Sequence, residues 1–251
     1  MISGKSFYEL CHWNICNRYP IKFQPNLVKD GDFVFINLDN ILDFIKFWKT
    51  TGIKSKINLI THNSDMIFTD DMYIDLSTFC LNVYSINSIS NHGVKIPLGF
   101  SDRLVPIIQD RDAQTNDKGH LVYMNFKIYQ SVALERKDCY NHFKNESWVL
   151  SEDNVPEVEF YKNLKLSKYS FCPIGVGLDT HRFYESIFLN TIPIVIRNGI
   201  SDLHSKLPCI IIDSWSEITQ DKLNNEYKQH YDNLIEWKKN NDWLNPKYWL
   251  K

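Results

Sequence analysis

The chain has 251 residues, a formal net charge of -2, and 43% hydrophobic and 14% aromatic residues. This length and apolar content are typical of one large or two small folded domains and exclude a disordered chain. The near-neutral charge gives no general attraction to nucleic acid or to an anionic membrane. Binding of a phosphate group therefore needs a local site.

Cysteine usage and hydropathy predict the compartment. The six cysteines are scattered without a C-x-x-C pair, and no apolar signal segment stands at the N-terminus. We therefore expect reduced thiols and a cytoplasmic protein. No apolar run approaches the roughly 18 residues that a membrane span needs.

The first part of the chain has the pattern of a βαβ unit. Residues 1–30 show no clean period and are expected to be irregular. The apolar run 33–38 is a predicted strand, residues 39–50 have helical spacing, and Ile57 to Ile60 form the next predicted strand. Strand, helix and strand in this order indicate a parallel sheet, to which Leu81 to Ser85 adds a further strand.

A polar cluster, Thr61 to Asp65, directly follows the second of these strands. Catalytic residues of open α/β sheets collect beyond the carboxyl ends of strands, so His62 and Asp65 are candidate general bases. The alternative is a turn in which Asn63 and Asp65 make local Asx-type hydrogen bonds.

A polar segment, Gln109 to Gly119, is predicted to be a linker or mobile loop, and a second α/β unit follows it. The predicted elements are strand 121–126, helix 131–143, strand 148–150, helix 157–166, a strand that ends at Pro173, a helix from about Asp179, a strand after Pro193, strand 210–212 and a long C-terminal helix.

The stretch from Tyr169 to Arg197 carries the clearest functional pattern. A strand ends at a loop with Gly175 and Gly177, and a helix follows for which Asp179, or alternatively Thr180, is the predicted N-cap. Low side-chain bulk before a helix N-terminus leaves amides and the helix dipole open to an anion.

Three residues of this helix add charged groups to the predicted anion site. Glu185 shares a helix face with His181 and Arg182, which lie four and three residues before it. The basic pair suits a diphosphate, and the carboxylate can accept two hydrogen bonds from a vicinal diol such as a ribose. A nucleoside diphosphate satisfies both groups. The alternative is a surface ion pair of Arg182 and Glu185 beside an ordinary histidine.

The run G-x-G-x-D-T-H-R-x-x-E-x-x-x-x-x-x-I-P-I-V resembles the donor-binding segment of exostosin-like glycosyltransferases of the family 47 type, including compact versions from large DNA viruses. The resemblance extends upstream to the L-V-Y-M-N-F run at Leu121 and downstream to L-P-C-I-I-I-D-S-W-S-E-I, which ends at Ile218.

The resemblance implies an α/β fold of two Rossmann-like lobes facing a cleft, in a compact GT-B-like arrangement. Residues 1–112 would form the N-terminal, acceptor-side lobe and residues 113–219 the donor-side lobe. The C-terminal helix, residues 220–251, would pack back on the N-terminal lobe.

The implied activity is sugar transfer from a nucleotide-diphosphate sugar, with UDP favoured, to a hydroxyl of a glycan or glycoconjugate. The resemblance implies inversion, with no metal and no other cofactor, and no nucleic-acid partner is expected. Asp65 or His62 would be the base. The donor-binding residues that the pattern and the resemblance indicate are Asn125, Arg136, Gly175, Gly177, Thr180, His181, Arg182 and Glu185.

Two other functions fit parts of the pattern. A G-x-G-x-x-T turn is a partial dinucleotide fingerprint, although Thr180 replaces the third small residue and Arg197 stands where an acidic residue is usual. Arg197 would suit the 2′-phosphate of NADP, so an NAD(P)-dependent oxidoreductase stays open. So does a catalytically inactive nucleotide- or glycan-binding partner of another transferase.

Overall fold

The computed structural model describes residues 1–102, 118–128 and 134–251. The chain divides into two compact units, each with one five-stranded parallel sheet. The predicted 112/113 boundary and most of the predicted linker lie outside the described residues. The first unit comprises Met1–Asp102, Gly177–Asp179 and Trp243–Lys251, and the second comprises, among the described residues, 118–128, 134–176 and Thr180–Asp242.

The first unit has its strands in chain order, β1-β2-β3-β4-β5. All six residues of the central strand β3 are buried. Helix α2 forms because its buried residues Ile41, Phe44, Ile45 and Trp48 recur with helical spacing. The elements are α1 Gly4–Glu9, β1 Trp13–Asn14, β2 Phe33–Asn37, α2 Ile41–Thr50, β3 Ile57–His62, α3 Asp70–Ser77, β4 Cys80–Ser85 and β5 Val94–Lys95, with short 3-10 turns at Pro25–Leu27, Leu38–Asn40 and Pro246–Trp249.

The second unit has the strand order β10-β9-β8-β6-β7. From β6 the chain places β7 on one side and β8 on the other, so the direction of winding reverses between β6 and β8. The elements are β6 His120–Met124, α4 Leu134–Phe143, β7 Val149–Ser151, α5 Glu157–Lys165, β8 Ser167–Phe171, α6 His181–Phe188, β9 Ile192–Ile196, α7 Ser201–His204, β10 Ile210–Ile212 and α8 Gln220–Asn240, with a 3-10 turn at Trp215–Glu217.

The N-terminal residues are more ordered than the sequence predicts. Ser3 and Ser6 form a reciprocal capping box that starts α1, and the helix buries Phe7. Strand β1 pairs in parallel with β2, opposite Val34 and Phe35. The expectation of an irregular lead-in is therefore wrong for these two elements.

The C-terminal helix contributes to the core of the second unit. Leu223 and Leu234 of α8 are buried in the core of the second unit together with Val122. Tyr169 in β8 donates its hydroxyl proton to the carbonyl of Leu223 at 2.9 Å. Helix α8 thus packs within the second unit, and only the following segment Trp243–Lys251 belongs to the first unit.

The described residues also bear on redox state and membrane spans. All six cysteines are free thiols. In residues 1–102, 118–128 and 134–251, no helix is both long enough and apolar enough to cross a bilayer.

Candidate functional site

The reversal between β6 and β8 marks a candidate ligand site in the second unit. In open parallel sheets a crevice forms outside the carboxyl ends of two strands whose connections leave in opposite directions. Asn125 directly follows β6, and the glycine loop with Gly175 follows β8. The topology therefore brings two of the predicted donor-binding positions to one edge of the sheet.

Helix α4 holds the first part of the glycine loop. The Glu135 carboxylate accepts the N–H of Ile174 at 3.0 Å, and Arg136 Nε donates to the carbonyl of Ile174 at 3.0 Å. A Cβ on Gly175 would stand 2.7 Å from Arg136 Nη2, so glycine permits this close approach. Arg136 Nη1 also donates to the carbonyl of Lys127 at 3.4 Å. Arg136 is thus engaged with backbone oxygens around the loop.

The second part of the loop has its contacts in the first unit. The Asp179 carboxylate accepts the N–H of Leu98 at 2.9 Å, and the N–H of Asp179 donates to Asn87 Oδ1 at 2.9 Å. A Cβ on Gly177 would stand 2.8 Å from Asn87 Nδ2. Asp179 is therefore not the N-cap of α6. Thr180 is the N-cap, and its side chain makes no capping hydrogen bond.

Three buried side-chain nitrogens near the strand ends of the second unit have no hydrogen-bond partner among the described residues. They are Nδ2 of Asn125, Nε of Arg182 and Nδ2 of Asn198, which follows β9. The Arg182 guanidinium lies over the ring of Phe160, 4.8 Å from its centroid. Buried polar groups are usually paired, so unpaired donors here indicate room for a ligand with acceptor atoms.

Glu185 lies deeper than the sequence pattern indicates. Glu185 is only 4% exposed, and its Oε1 accepts a hydrogen bond from the hydroxyl of Tyr161 at 3.0 Å. Burial raises the pKa of Glu185 above its usual value, although the nearby charges of His181 and Arg182 act in the opposite direction. The three side chains lie on the same helix, and the charges of His181 and Arg182 interact electrostatically with the carboxyl of Glu185.

Two aromatic residues on α5 contact residues of the candidate site, although the sequence alone predicts no role for them. Phe160 stacks under Arg182, and Tyr161 binds Glu185. Behind them, Glu152 accepts hydrogen bonds from Tyr123 at 3.0 Å and from Asn163 at 2.9 Å. The sequence signal for this role is the adjacent pair Phe160–Tyr161 in the predicted helix 157–166. The spacing of residues in one helix does not show which other helix these side chains contact.

The candidate bases His62 and Asp65 belong to the first unit. His62 is 1% exposed, and its Nδ1 accepts the N–H of Asn63 at 2.8 Å. Its Nε2 is 3.2 Å from the carbonyl oxygen of Pro97, so this nitrogen is assigned the proton. Both ring nitrogens are occupied. Asp65 is exposed in the loop after β3.

In residues 1–102, 118–128 and 134–251, no group of three or more His, Cys, Asp or Glu side chains is arranged to hold a metal ion.

Comparison with known proteins gives similarity at the level of structure. No family model matches the chain, and no curated protein matches it. A UDP-forming α,α-trehalose-phosphate synthase from Burkholderia xenovorans is similar over 90% of this chain and 74% of its own, with 8% identity and a TM-score of 0.52. A UDP-forming synthase from Burkholderia vietnamiensis matches 88% of this chain and 74% of its own, with 8% identity and a TM-score of 0.48.

The Burkholderia xenovorans comparison supports the fold. Two parallel five-stranded sheets with helices match the α/β architecture of a GT-B glycosyltransferase, so the predicted fold class is confirmed. At 8% identity the similarity concerns the fold alone. The exostosin-like resemblance stays an observation on the sequence motifs.

Proposed function

We propose that the protein is a glycosyltransferase that uses a nucleotide-diphosphate sugar as donor. The observation that carries the proposal is a pair of buried donors, Asn125 Nδ2 and Arg182 Nε, that have no hydrogen-bond partner among the described residues and lie where the second sheet reverses its winding. The GT-B-like fold of a UDP-forming synthase supports the same class of reaction. It also makes UDP the favoured nucleotide.

The diphosphate is proposed to bind at the start of α6. Arg182 supplies a fixed positive charge, Asn125 an amide donor, and the glycine loop and first turn of the helix supply backbone N–H groups. These donors stabilise the negative charge that grows on the leaving diphosphate as the glycosidic bond breaks. His181, at the first position of α6, is proposed to assist. This donor set works without a metal.

The ribose is proposed to bind Glu185. Tyr161 occupies Oε1 and leaves Oε2 for a ribose hydroxyl. The Tyr161 hydroxyl also fixes the carboxylate rotamer, so Tyr161 acts as a positioning residue. Because the carboxylate is almost fully buried, a bond from a ribose hydroxyl is formed in a region of low dielectric and gains in strength.

Deprotonation of an acceptor hydroxyl with inversion at the sugar carbon completes the proposal. Asp65 is the better candidate base, because it is exposed, whereas both nitrogens of His62 are engaged. Asp65→Asn should then abolish turnover and leave donor binding intact. Loss of turnover in His62→Gln, at unchanged stability, would instead assign the base to His62.

The first experiment measures thermal stabilisation by UDP, GDP, dTDP, NAD and NADP, each with magnesium or with EDTA. A nucleotide at ten times its dissociation constant adds about 1.4 kcal/mol to stability. One nucleoside diphosphate, acting equally with and without magnesium, is the expected stabiliser. Arg182→Ala should weaken its binding about 10- to 100-fold, because it removes charge-assisted hydrogen bonds worth about 1.5–3 kcal/mol.

The matched control is Arg197→Ala. Arg197 is exposed in the same unit and pairs with Asp213 at 2.7 Å, so its loss should leave nucleotide affinity unchanged. Stabilisation by NADP alone, lost in Arg197→Ala, would replace the transferase with an oxidoreductase. Tight nucleotide binding without hydrolysis or transfer of any UDP-sugar would favour the inactive partner protein.

A further inference from the structure

A cavity in the second unit lies apart from the proposed donor site. It has a volume of about 320 Å³ and is lined by His142, Phe143, Glu146, Trp148, Ser216, Ile218, Thr219 and Gln220. Helix α4 connects the two places, with Arg136 at the glycine loop and His142 at the cavity. Six residues of helix separate these positions by about 9 Å along the axis.

The cavity has an aromatic wall that is held in place. The Trp148 indole donates its Nε1–H to Glu146 Oε2 at 2.7 Å. Its ring meets Phe143 edge to face, with centroids 5.6 Å apart and planes at 74°. Two contacts of different kinds therefore fix the ring, while Trp148 stays partly exposed. An aromatic plate that is rigid before binding loses little entropy when a ligand stacks on it.

Polar groups surround this apolar surface. Phe143 and Ile218 are buried and form the apolar part of the lining, whereas Ser216, Thr219 and Gln220 are exposed. Next to the lining, Trp215 is 6% exposed, and its indole Nε1–H has no hydrogen-bond partner in the part of the chain that the structure describes. An apolar aromatic surface surrounded by hydroxyl and amide groups is complementary to a pyranose ring, which has an apolar C–H face and hydroxyl groups around its edge.

The charges of the lining residues disfavour an anionic ligand. The eight lining residues include the carboxylate of Glu146 and no lysine or arginine. A phosphate or a nucleotide would meet no fixed positive charge there and would be repelled by Glu146. A neutral ligand with hydroxyl groups fits the lining better.

We propose that the cavity lined by Trp148 is a second binding site that holds one neutral pyranose unit of a glycan. The C–H face of the sugar stacks on the indole, and its hydroxyls bond to Ser216, Thr219 and Gln220. The site does not depend on the proposed donor chemistry, since none of its lining residues takes part in it. Because the cavity is small and open, affinity for a single sugar is on the order of millimolar.

The test follows indole ¹H–¹⁵N NMR signals of the full chain, without nucleotide, during titration with the methyl pyranosides of glucose, mannose, galactose and xylose. We expect a saturable shift of the Trp148 signal with at least one glycoside. Trp148→Ala should abolish the binding and Gln220→Ala should weaken it about threefold. Trp148→Phe keeps an aromatic plate and should retain part of the affinity, which guards against a folding defect in the alanine variant.

The chain offers a matched control. The partly exposed Trp13 also donates its indole N–H to a carboxylate, Asp32 Oδ2, at 2.7 Å, but it is in the first unit. Its signal should not move, and Trp13→Phe should bind the sugar normally. The proposal is overturned if no glycoside shifts the Trp148 signal saturably at tens of millimolar, or if the binding persists in Trp148→Ala.

Discussion

The two parallel sheets differ in whether the polar side chains at the carboxyl ends of their strands have hydrogen-bond partners. In the first unit, His62 has both ring nitrogens bonded, and Asn87 donates to the carbonyl of Ser64 while accepting from the backbone. In the second unit, Asn125 and Arg182 each have a buried nitrogen without a hydrogen-bond partner in residues 1–102, 118–128 and 134–251. Similar strand ends thus form a closed network in one unit and an open set of donors in the other.

This difference distinguishes buried donors that stabilise the fold from buried donors that are expected to bind a ligand. A buried donor that is paired contributes to stability, and its removal leaves the partner unsatisfied. A buried donor that is unpaired costs free energy in the empty protein and is retained where a ligand supplies the acceptor. Substitutions at the two edges should therefore have opposite signatures.

The largest effect on stability is expected at His62. His62→Ala removes a buried ring and two hydrogen bonds, so the free energy of unfolding should fall by about 3 kcal/mol. The measurement is denaturant unfolding with a probe in the first unit. A stable variant that has lost only turnover would break the comparison, because it would show that the closed network is not structural at this residue.

Two asparagines give the sharpest test of the comparison. Asn87→Ala leaves the N–H of Asp179 and the carbonyl of Ser64 without their partner and should cost about 2 kcal/mol. Asn125→Ala removes a donor without a hydrogen-bond partner among the described residues and should change stability by less than about 0.5 kcal/mol, while it weakens nucleotide binding. Equal losses of stability in both variants would contradict the assignment of open and closed edges.

Glu185 is expected to change stability by less than His62 or Asn87, and in the opposite direction. Because burial raises the folded-state pKa of this carboxyl, its contribution to stability is fully present below the unfolded-state pKa and is lost as pH rises through the folded-state value. Glu185→Gln removes the charge, so at pH 7 the variant should be about 1 kcal/mol more stable than the wild type. Unfolding measured from pH 7 downward should show this difference shrink as the wild type becomes protonated.

Much of the fold could be predicted because its strands are short apolar runs bounded by polar or glycine residues. The runs at Ile57 and at Ile210 are strands in the structure. Helix α1 was missed because a six-residue helix starts at a serine capping box and has too few turns to show a period. The core that α8 joins could not be predicted, because an apolar stripe shows that a face is buried but not which sheet covers it.

The candidate site could be predicted where its residues are close in sequence. The glycine loop and the helix with His181, Arg182 and Glu185 form one continuous segment. The burial of Glu185 could not be predicted, because it depends on Tyr161, a residue of another helix that lies 24 positions earlier. Spacing rules describe neighbours on one element and carry no information on such long-range partners.

The tripeptide Gly177–Asp179 belongs to the first unit, although both of its flanking segments belong to the second. A gene cut after Asp102 would therefore give two polypeptides that do not correspond to two complete folding modules. The C-terminal fragment would carry these three residues away from Asn87 and Leu98, which bind Asp179. Fragment complementation should restore the native glycine loop only when both pieces are present together.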